Sequence, residues 1–536
     1  MTEIVIVGSG ATGVHFALSA LKKGHQVTLV DVGNERPAAV RPDLSFSGLK
    51  STLEDPVGYF LGPETTSIVY PAKGAKFYGF PPSKDYVFAA PKRFGVDSAG
   101  FDPVLSFARG GLAEAWTGGV YPLNDAELAD FPIRYEQLRP HYQEIARRIG
   151  ISAERDDLER FSVFDADYQP ALRLDPHSER LLAAYARTRA ALHQDLGFYL
   201  GRSRVATLTQ DLGDRKACDY LGRCLWGCPR ESLYAPSYTL RDCQRYPQFT
   251  YRPGLLVSHF EYDAERRVTA MVADPVPEGE RTRITGELFV LAAGTLCSSK
   301  LMLDSRYHAT GEIATLPGLM DNQQIMLPFL SLGMIGQPVP LESYQFHELA
   351  VGLEGATAAD YVHGQVTTLK AASVHPIMQS LPLDFGSASR FVQALRAGLA
   401  VANIWLADRR HDRNTLTLVP TAGSAGTRLV LSYGTAGRET DEVRRVIRTM
   451  GRALRKLGCI VPPGMTKILP KGASIHYAGT LPMSRTRAPF TVSPECRSWD
   501  YSNLIVADGA TFPFLPAKNL TFTLMANAVR VADLAL

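Results

Sequence analysis

The chain has no run of about 18 consecutive apolar residues, which argues against a membrane-spanning helix. It is poor in cysteine. Seven over 536 residues is an odd and modest number, which does not suit a disulfide framework and does suit a reducing compartment. It also lacks an excess of either charge. Fifty-seven Lys and Arg against 54 Asp and Glu leave a formal net charge of +3, too little to argue for nucleic acid or an anionic membrane surface as a partner. There is no internal repeat and no low-complexity tract, so solenoid and disordered-tail architectures are set aside. A strand is expected from Ile4 onward, so no cleavable leader is expected, and the expected location is cytoplasmic. What remains is a globular composition, 45% apolar and 21% charged, long enough for two domains with large cores. Even the most basic stretch, residues 444–456, carries Val443, Ile447, Met450, Leu454 and Leu457 on one helical face, with its arginines largely elsewhere. It reads as the solvated outside of a packed helix.

The beginning of the chain is more specific. Ile4-Val5-Ile6-Val7 is an all-apolar, β-branched run of the kind buried on both faces of a parallel sheet. Gly8-Ser9-Gly10-Ala11-Thr12-Gly13 follows at once as G-x-G-x-x-G. Val14, Ala17, Leu18 and Leu21 then recur at helical spacing up to Gly24, and Val27 to Val30 reads as a second strand ending at Asp31. In that order the pieces make a dinucleotide-binding unit. Gly8 permits the tight turn, Gly10 lets the backbone approach a pyrophosphate, and Gly13 lets the helix pack on the strand. The helix N-terminus offers N–H groups and a positive dipole end to phosphate. Asp31 stands where a carboxylate accepts ribose hydroxyls, which argues against NADP and leaves NAD and FAD open.

Farther along, residues 41–100 are rich in proline, glycine and aromatics without clean periodicity and read as long loops over a site. Residues 135–200 read as mostly helical, with Leu181, Leu182, Tyr185 and Leu192 in the core. Residues 287–295 read as a buried strand with a glycine turn, followed by a helix bearing Leu301, Met302 and Leu303. Residues 415–419 and 428–433 read as a hairpin with Gly423 and Gly426 between them, and the amphipathic helix 441–457 follows. Residues 504–508 read as a last buried strand and 519–531 as a last helix.

Several blocks, in this order, resemble the glucose-methanol-choline (GMC) oxidoreductase family. They are Gly8 to Gly13 with Asp31; Gly110-Gly111 with Trp116-Thr117-Gly118-Gly119; Cys224-Leu225-Trp226-Gly227-Cys228-Pro229; Ala292-Ala293-Gly294-Thr295; His476 with Gly479-Thr480; Asp508-Gly509; and Asn519-Leu520-Thr521. They span nearly the whole chain. The resemblance implies an α/β fold, α+β overall: a Rossmann-like FAD-binding domain with a discontinuous substrate domain built on an antiparallel sheet. On this view residues 1–40, 104–134, 205–305 and 470–536 form the FAD-binding domain, and 41–103, 135–204 and 306–469 form the substrate domain and lid loops. The resemblance further implies FAD and the oxidation of an alcohol carbon by hydride transfer to flavin N5. It assigns cofactor contacts to Gly8, Gly10, Gly13, Asp31, Gly110, Gly111, Trp116, Thr117, Gly118, Ala293, Gly294, Asp508, Gly509, Asn519 and Thr521, and catalysis to His476 and Asn519. Ala115 stands where the pyranose oxidase version of the Gly110 block carries a flavin-linked histidine, so the FAD is expected to be non-covalent.

These residue types suit the chemistry. Hydride leaves a carbinol carbon readily only if the hydroxyl proton also leaves. A neutral imidazole such as that of His476 can take it, while the Asn519 amide directs the same oxygen. The helix after Asn519 can stabilise negative charge on a reduced flavin. Cys224 and Cys228, with Cys218 near them, invite a metal or disulfide reading. Cys243 is a candidate fourth ligand, but no histidine has zinc spacing, so buried thiols and no metal are expected. Asp321-Asn322-Gln323-Gln324 loosely resembles the family's Gly-x-Asn segment and is expected to be structural.

For the substrate, Gln323, Gln324, Gln365 and Thr367 are expected near the pocket, with Glu114 and Trp116 nearer the flavin. Residues 41–100 are too mixed for the apolar lid a sterol needs, so a sugar, amino sugar or polyol is the expected small-molecule partner. The Pro516-Ala517-Lys518-Asn519 version of the last block resembles bacterial members that act on sugars, among them enzymes oxidising the 6′-hydroxymethyl of paromamine-type amino sugars. Other sugars and glycosides stay open. So do oxygen or another electron acceptor, a lyase using FAD structurally, a catalytically silent FAD-binding protein, and an NAD dehydrogenase.

Overall fold

The structure is a computed structural model that describes residues 1–536 except 37–43, 63–79, 371–377, 379–380, 422–425 and 435–436. Glu3–Val7 is the central strand of a five-stranded sheet whose order is Leu504–Val506, Leu288–Leu291, Glu3–Val7, Gln26–Val30, Phe249–Arg252. Every pairing in it is parallel. Both faces of such a sheet must be covered, and its strands accordingly read as continuous apolar runs. Helices Ala11–Lys22 and Thr521–Ala535 pack on each other, and Tyr135–Ile149 lies on Thr521–Ala535. Leu138, Tyr142 and Ile145 of that helix join the core of the parallel sheet, although residues 135–204 are expected with the substrate domain.

A second, seven-stranded sheet runs Cys459–Ile460, Gln323–Ser331, Leu399–Leu406, Val362–Thr368, Leu349–Leu353, Phe198–Arg202, with Lys467–Ile468 also paired to Gln323–Ser331. All its pairings are antiparallel. The period of two sorts its residues. Ile325, Leu327, Phe329, Val362, Val366, Ala402 and Ile404 pack against Leu181 and Leu192 of helix Pro176–Leu196 and against Val443, Met450 and Leu454 of helix Gly437–Lys456. The other face carries His363, Gln365, Asn403, Trp405 and Gln324, with His363 and Gln324 each paired to Trp405 and Gln365 paired to Asn403.

The expected hairpin is present as Thr415–Pro420 and Thr427–Ser432, extended on one side by Thr315–Pro317 and on the other by Gly95–Ala99. Gly423 lies outside the described residues. The segment expected as long loops contains helices Phe46–Thr52 and Pro56–Leu61, N-capped by the side chains of Ser45 and Asp55. Among the described residues no helix is long and apolar enough to cross a membrane.

Two short ribbons join the antiparallel sheet to the C-terminal blocks: Met320–Asp321 with Tyr477–Ala478, and Asp408–Arg409 with Phe514–Leu515. The chain then reaches Lys518, whose ammonium is wholly buried. It is ion-paired with Glu127 and donates to the carbonyls of Pro122 at 3.1 Å and Phe161 at 2.6 Å. Removing one partner of a buried pair strands the other charge, which costs about 3–5 kcal/mol. Lys518→Met is expected to lose stability of that order in a denaturant titration, and Lys518→Met combined with Glu127→Leu to recover a large part of it.

Candidate active site

A cavity of about 680 Å³ runs from residues 8–12 and Asp31, past 292–297 and Asp508, to Ile475, His476 and Thr521. Three helices begin at its wall: Ala11–Lys22, Thr295–Thr310 and Thr521–Ala535. None has a side-chain cap or an acidic residue in its first turn. Their first N–H groups and positive dipole ends are therefore left for an anionic or electron-rich ligand. A Cβ added to Gly10 or Gly294 would meet nothing within 4 Å, so both present bare backbone to open space. Gly8, at φ +104°, has no such room: its Cβ would stand 2.5 Å from the carbonyl oxygen of Ala292. Gly13 lets the helix rest on the Gly8 carbonyl. These residues fit a bound dinucleotide, with its pyrophosphate at the first turn and its other end toward His476.

Asp31 closes the nucleotide end. Its carboxylate accepts from the backbone N–H of Ser9 at 3.0 Å and from the Ser9 hydroxyl, which itself accepts from Gly110 N–H at 2.9 Å. Burial pushes Asp31 up to about 6. Asp508 joins two turns by accepting from Gly294 N–H at 3.0 Å, Ser298 Oγ at 2.5 Å and Ala510 N–H at 3.0 Å, and burial raises it to about 6 as well. Gly111, Ala293 and Gly509 also line the cavity.

Trp116, Thr117 and Gly118, implied as further cofactor contacts, are each engaged by protein partners. Trp116 donates to the Tyr234 carbonyl at 2.7 Å and lines a second cavity together with Glu114. The Thr117 hydroxyl lies 3.2 Å from Nε2 of His347, and the Gly118 carbonyl accepts from Ala206 N–H at 2.8 Å. Cys218 and Cys224 pack among Leu172, Tyr344 and Phe346. Burial pushes the Cys218 thiol up to about 12 and the Cys224 thiol well above its ordinary value.

His476 is seated by a segment expected to be only structural. The pairing of Asp321 with Tyr477 brings Asn322 beside the imidazole, with Oδ1 3.0 Å from Nδ1. The Asn322 amide nitrogen donates to the carbonyls of Leu406 at 2.8 Å and Pro516 at 3.1 Å. Both its protons are thus spent, and only the carbonyl oxygen is left to face the ring. Nδ1 of His476 must then carry the proton, and Nε2 keeps its lone pair. Asp321 holds the backbone. It accepts from Gly472 N–H at 2.8 Å and Ser474 Oγ at 2.5 Å, and Ser474 Oγ accepts from His476 N–H at 3.1 Å. Burial lowers His476 to about 4, so the ring is neutral at pH 7. Ile475, just before it, has φ +62°, a strained left-handed conformation for a β-branched residue that the surrounding contacts hold in place.

Asn519 follows the anchored Lys518, and its Oδ1 accepts from Gln365 Nε2 at 2.6 Å. The Trp405 ring, from the same sheet face as Gln365, is centred 6.0 Å from the His476 ring. His476 therefore presents a free lone pair at one end of a long, anion-accepting cavity, with the Trp405 ring beside it, and Asn519 immediately precedes Leu520 and Thr521, which line that cavity. Gln323, in contrast, spends its amide on the Leu469 carbonyl at 2.8 Å.

Residues 410–528 match the family model of the GMC oxidoreductases. That stretch is a GMC oxidoreductase C-terminal domain. The chain is an oxidoreductase acting on CH–OH donors, and the GMC likeness implies a flavin cofactor. Similar proteins include a 2-methyl-1,2-propanediol dehydrogenase of Mycolicibacterium austroafricanum, 22% identical over 99% of this chain and 94% of the relative. A fructose dehydrogenase large subunit of Gluconobacter japonicus is 22% identical over 99% and 97%, and a paromamine 6′-oxidase of Streptomyces fradiae 22% identical over 99% and 90%. Among solved structures, pyridoxine 4-oxidase from Mesorbium loti superposes with a TM-score of 0.61 at 15% identity, covering 100% of this chain and 99% of that one, and so shares the fold.

The seat of His476 makes a measurable prediction for this oxidoreductase. By nitrogen NMR, His476 is expected to be the Nδ1–H tautomer and to titrate near pH 4. Asn322→Asp puts a carboxylate against Nδ1–H, which stabilises the imidazolium and should raise that midpoint by about 1–3 pH units.

Proposed function

We propose that this chain oxidises an alcohol group of a sugar or amino sugar to a carbonyl, with non-covalent FAD as the hydride acceptor. The observation that carries the reading is the free Nε2 lone pair of His476 at the end of a cavity where three uncapped helix N-termini converge. When bound, the flavin supplies a two-electron acceptor at N5. His476 takes the hydroxyl proton as the C–H bond breaks, a general-base contribution of about 10²–10⁴ in rate. Asn519 holds the oxygen so that the carbon keeps one direction. Trp405 walls the site and keeps water from the imidazole. The first turn of Thr521–Ala535 offers N–H groups to the electron-rich end of the reduced ring system. Ala115 has only a methyl group where a covalent attachment would need a nucleophile.

A hydroxylated substrate is supported by the polar face of the antiparallel sheet, where Gln324, Asn403 and Gln365 stand beside the Trp405 ring. It is supported also by relatives named for fructose and paromamine. The narrower reading, oxidation of a 6′-hydroxyl on a paromamine-type amino sugar, rests on the second of these. Oxygen or another acceptor completes the cycle.

The test is anaerobic mixing of the flavin-loaded protein with paromamine, D-fructose and 2-methyl-1,2-propanediol. Bleaching of the flavin band at about 450 nm is expected with at least one of them. His476→Ala is expected to slow that bleaching by about 10²–10⁴ while retaining flavin. Turnover with the flavin still oxidised would instead make the protein a lyase, and loss of flavin from His476→Ala would give His476 a structural role.

A further inference from the structure

We infer that Gln365, backed by His363, is a positioning residue that decides which end of the Asn519 amide faces the substrate. The site thereby offers an alcohol one acceptor and one donor. This rests on the roles proposed above for His476 and Asn519.

The polarity follows from which end of each amide meets its neighbour. Gln365 Nε2 lies 2.6 Å from Asn519 Oδ1 and 3.4 Å from His363 Nε2. An amide nitrogen has two protons, and here one goes to each neighbour. His363 Nε2 receives its proton only through a lone pair, so the ring carries its own proton on Nδ1, which donates to the Tyr361 hydroxyl at 2.7 Å. With Oδ1 engaged, Asn519 has its Nδ2 protons left to offer. The arrangement mirrors the one at His476. There the Asn322 amide is consumed by two carbonyls, and the imidazole is left as an acceptor.

An alcohol oxygen gives one proton and accepts through its lone pairs. The donor–acceptor pair therefore orients the O–H toward His476 and leaves the oxygen to receive from Asn519. A flipped Asn519 would present a carbonyl that competes with His476 for the same proton.

Two further features hold the relay. The contact passes over Gly119, where an added Cβ would stand 2.6 Å from Gln365 Nε2 and 2.7 Å from Asn519 Oδ1. His363 is buried under Tyr121, whose ring is centred 4.4 Å away, and stacks on Trp405 at 6.1 Å. Its burial, helped by the nearby His347, Lys518 and His476, holds the ring well below the usual histidine range, so it stays neutral and able to accept. Among the described residues, the titratable groups facing the cluster include these three, Tyr121, Tyr361, the Glu127 that pairs with Lys518, and Arg204 and Asp156 beside Tyr361.

The experiment uses the flavin-loaded full chain and whichever of paromamine, D-fructose and 2-methyl-1,2-propanediol bleaches it fastest, in anaerobic stopped flow. Gln365→Met keeps the volume and removes the donor. It should lower the limiting rate of flavin reduction about 10-fold or more with flavin content unchanged. Asn519→Ala should lose a comparable factor, and the double variant no more than Asn519→Ala alone. Gln365→Glu gives the signature that a merely structural role would not. An ionised carboxylate draws the Asn519 protons to itself, whereas a protonated one donates as the amide did. Its rate should rise as the pH falls from about 8 toward 5, while that of the unaltered protein does not.

An unchanged rate in Gln365→Met beside a loss in Asn519→Ala would overturn the relay and leave the catalytic pair standing. Additive losses in the double variant would do the same. An unchanged rate in Asn519→Ala, or no bleaching with any of the three alcohols, would overturn the reading of the pair itself. If Gln365→Met does not bind flavin, the Gln365→Glu profile decides: acid recovery supports the relay and a flat profile overturns it.

Discussion

The side-chain amide of Asn322 is the interaction on which the site depends. It bonds to the Leu406 carbonyl on the antiparallel sheet, to the Pro516 carbonyl just before Asn519, and to the ring of His476. One buried group thus sets the distance between the sheet, His476 and the segment that carries Asn519. It also sets the tautomer of His476, because an amide whose protons are both used can only accept. An apolar residue at 322 would leave two buried carbonyls without donors and an imidazole free to choose either nitrogen for its proton.

The same logic recurs across the site. Polarity here is imposed by groups that do not face the ligand: Asp321 through Ser474 on the His476 backbone, Gln365 on Asn519, and His347 beside the Thr117 hydroxyl. Burial is what lets this work. It holds His476 and His347 neutral, at about 4 and about 3, so each ring keeps one donor and one acceptor over the physiological range. In the cofactor cleft the chain does the reverse and leaves three helix ends without side-chain partners.

Much of the cofactor half was legible in the sequence because its signals are short-ranged. Residues 3–31 place strand, glycine turn, helix and acid in one stretch, and Leu288–Leu291 and Leu504–Val506 are apolar runs that stop at turns. Asn322 was not legible as a site residue. It sits in a polar tetrad without periodicity, and its partners are 84, 154 and 194 positions away. Gln365 could be picked out as polar, but its partner Asn519 is 154 positions off. The two helices in residues 41–100 did carry signals, Ser45 and an Asp55-Pro56 start, which the proline- and glycine-rich composition masked. Helix Tyr135–Ile149 lies apart from the cofactor blocks in the chain, and only its packing on Thr521–Ala535 shows which core it serves.

The parallel sheet takes its strands from the start, middle and end of the chain, with Leu504–Val506 on one edge. On the ribosome, the nucleotide turn at residues 8–13 is therefore synthesised long before its last neighbour strand exists. Four of the five strands can pair before it. The cleft gains its far wall, and His476 its fixed setting, only when residues 475–524 have emerged. The cofactor cleft is thus a product of late assembly, and a nascent chain that stops short of Leu504–Val506 exposes the apolar edge of Leu288–Leu291.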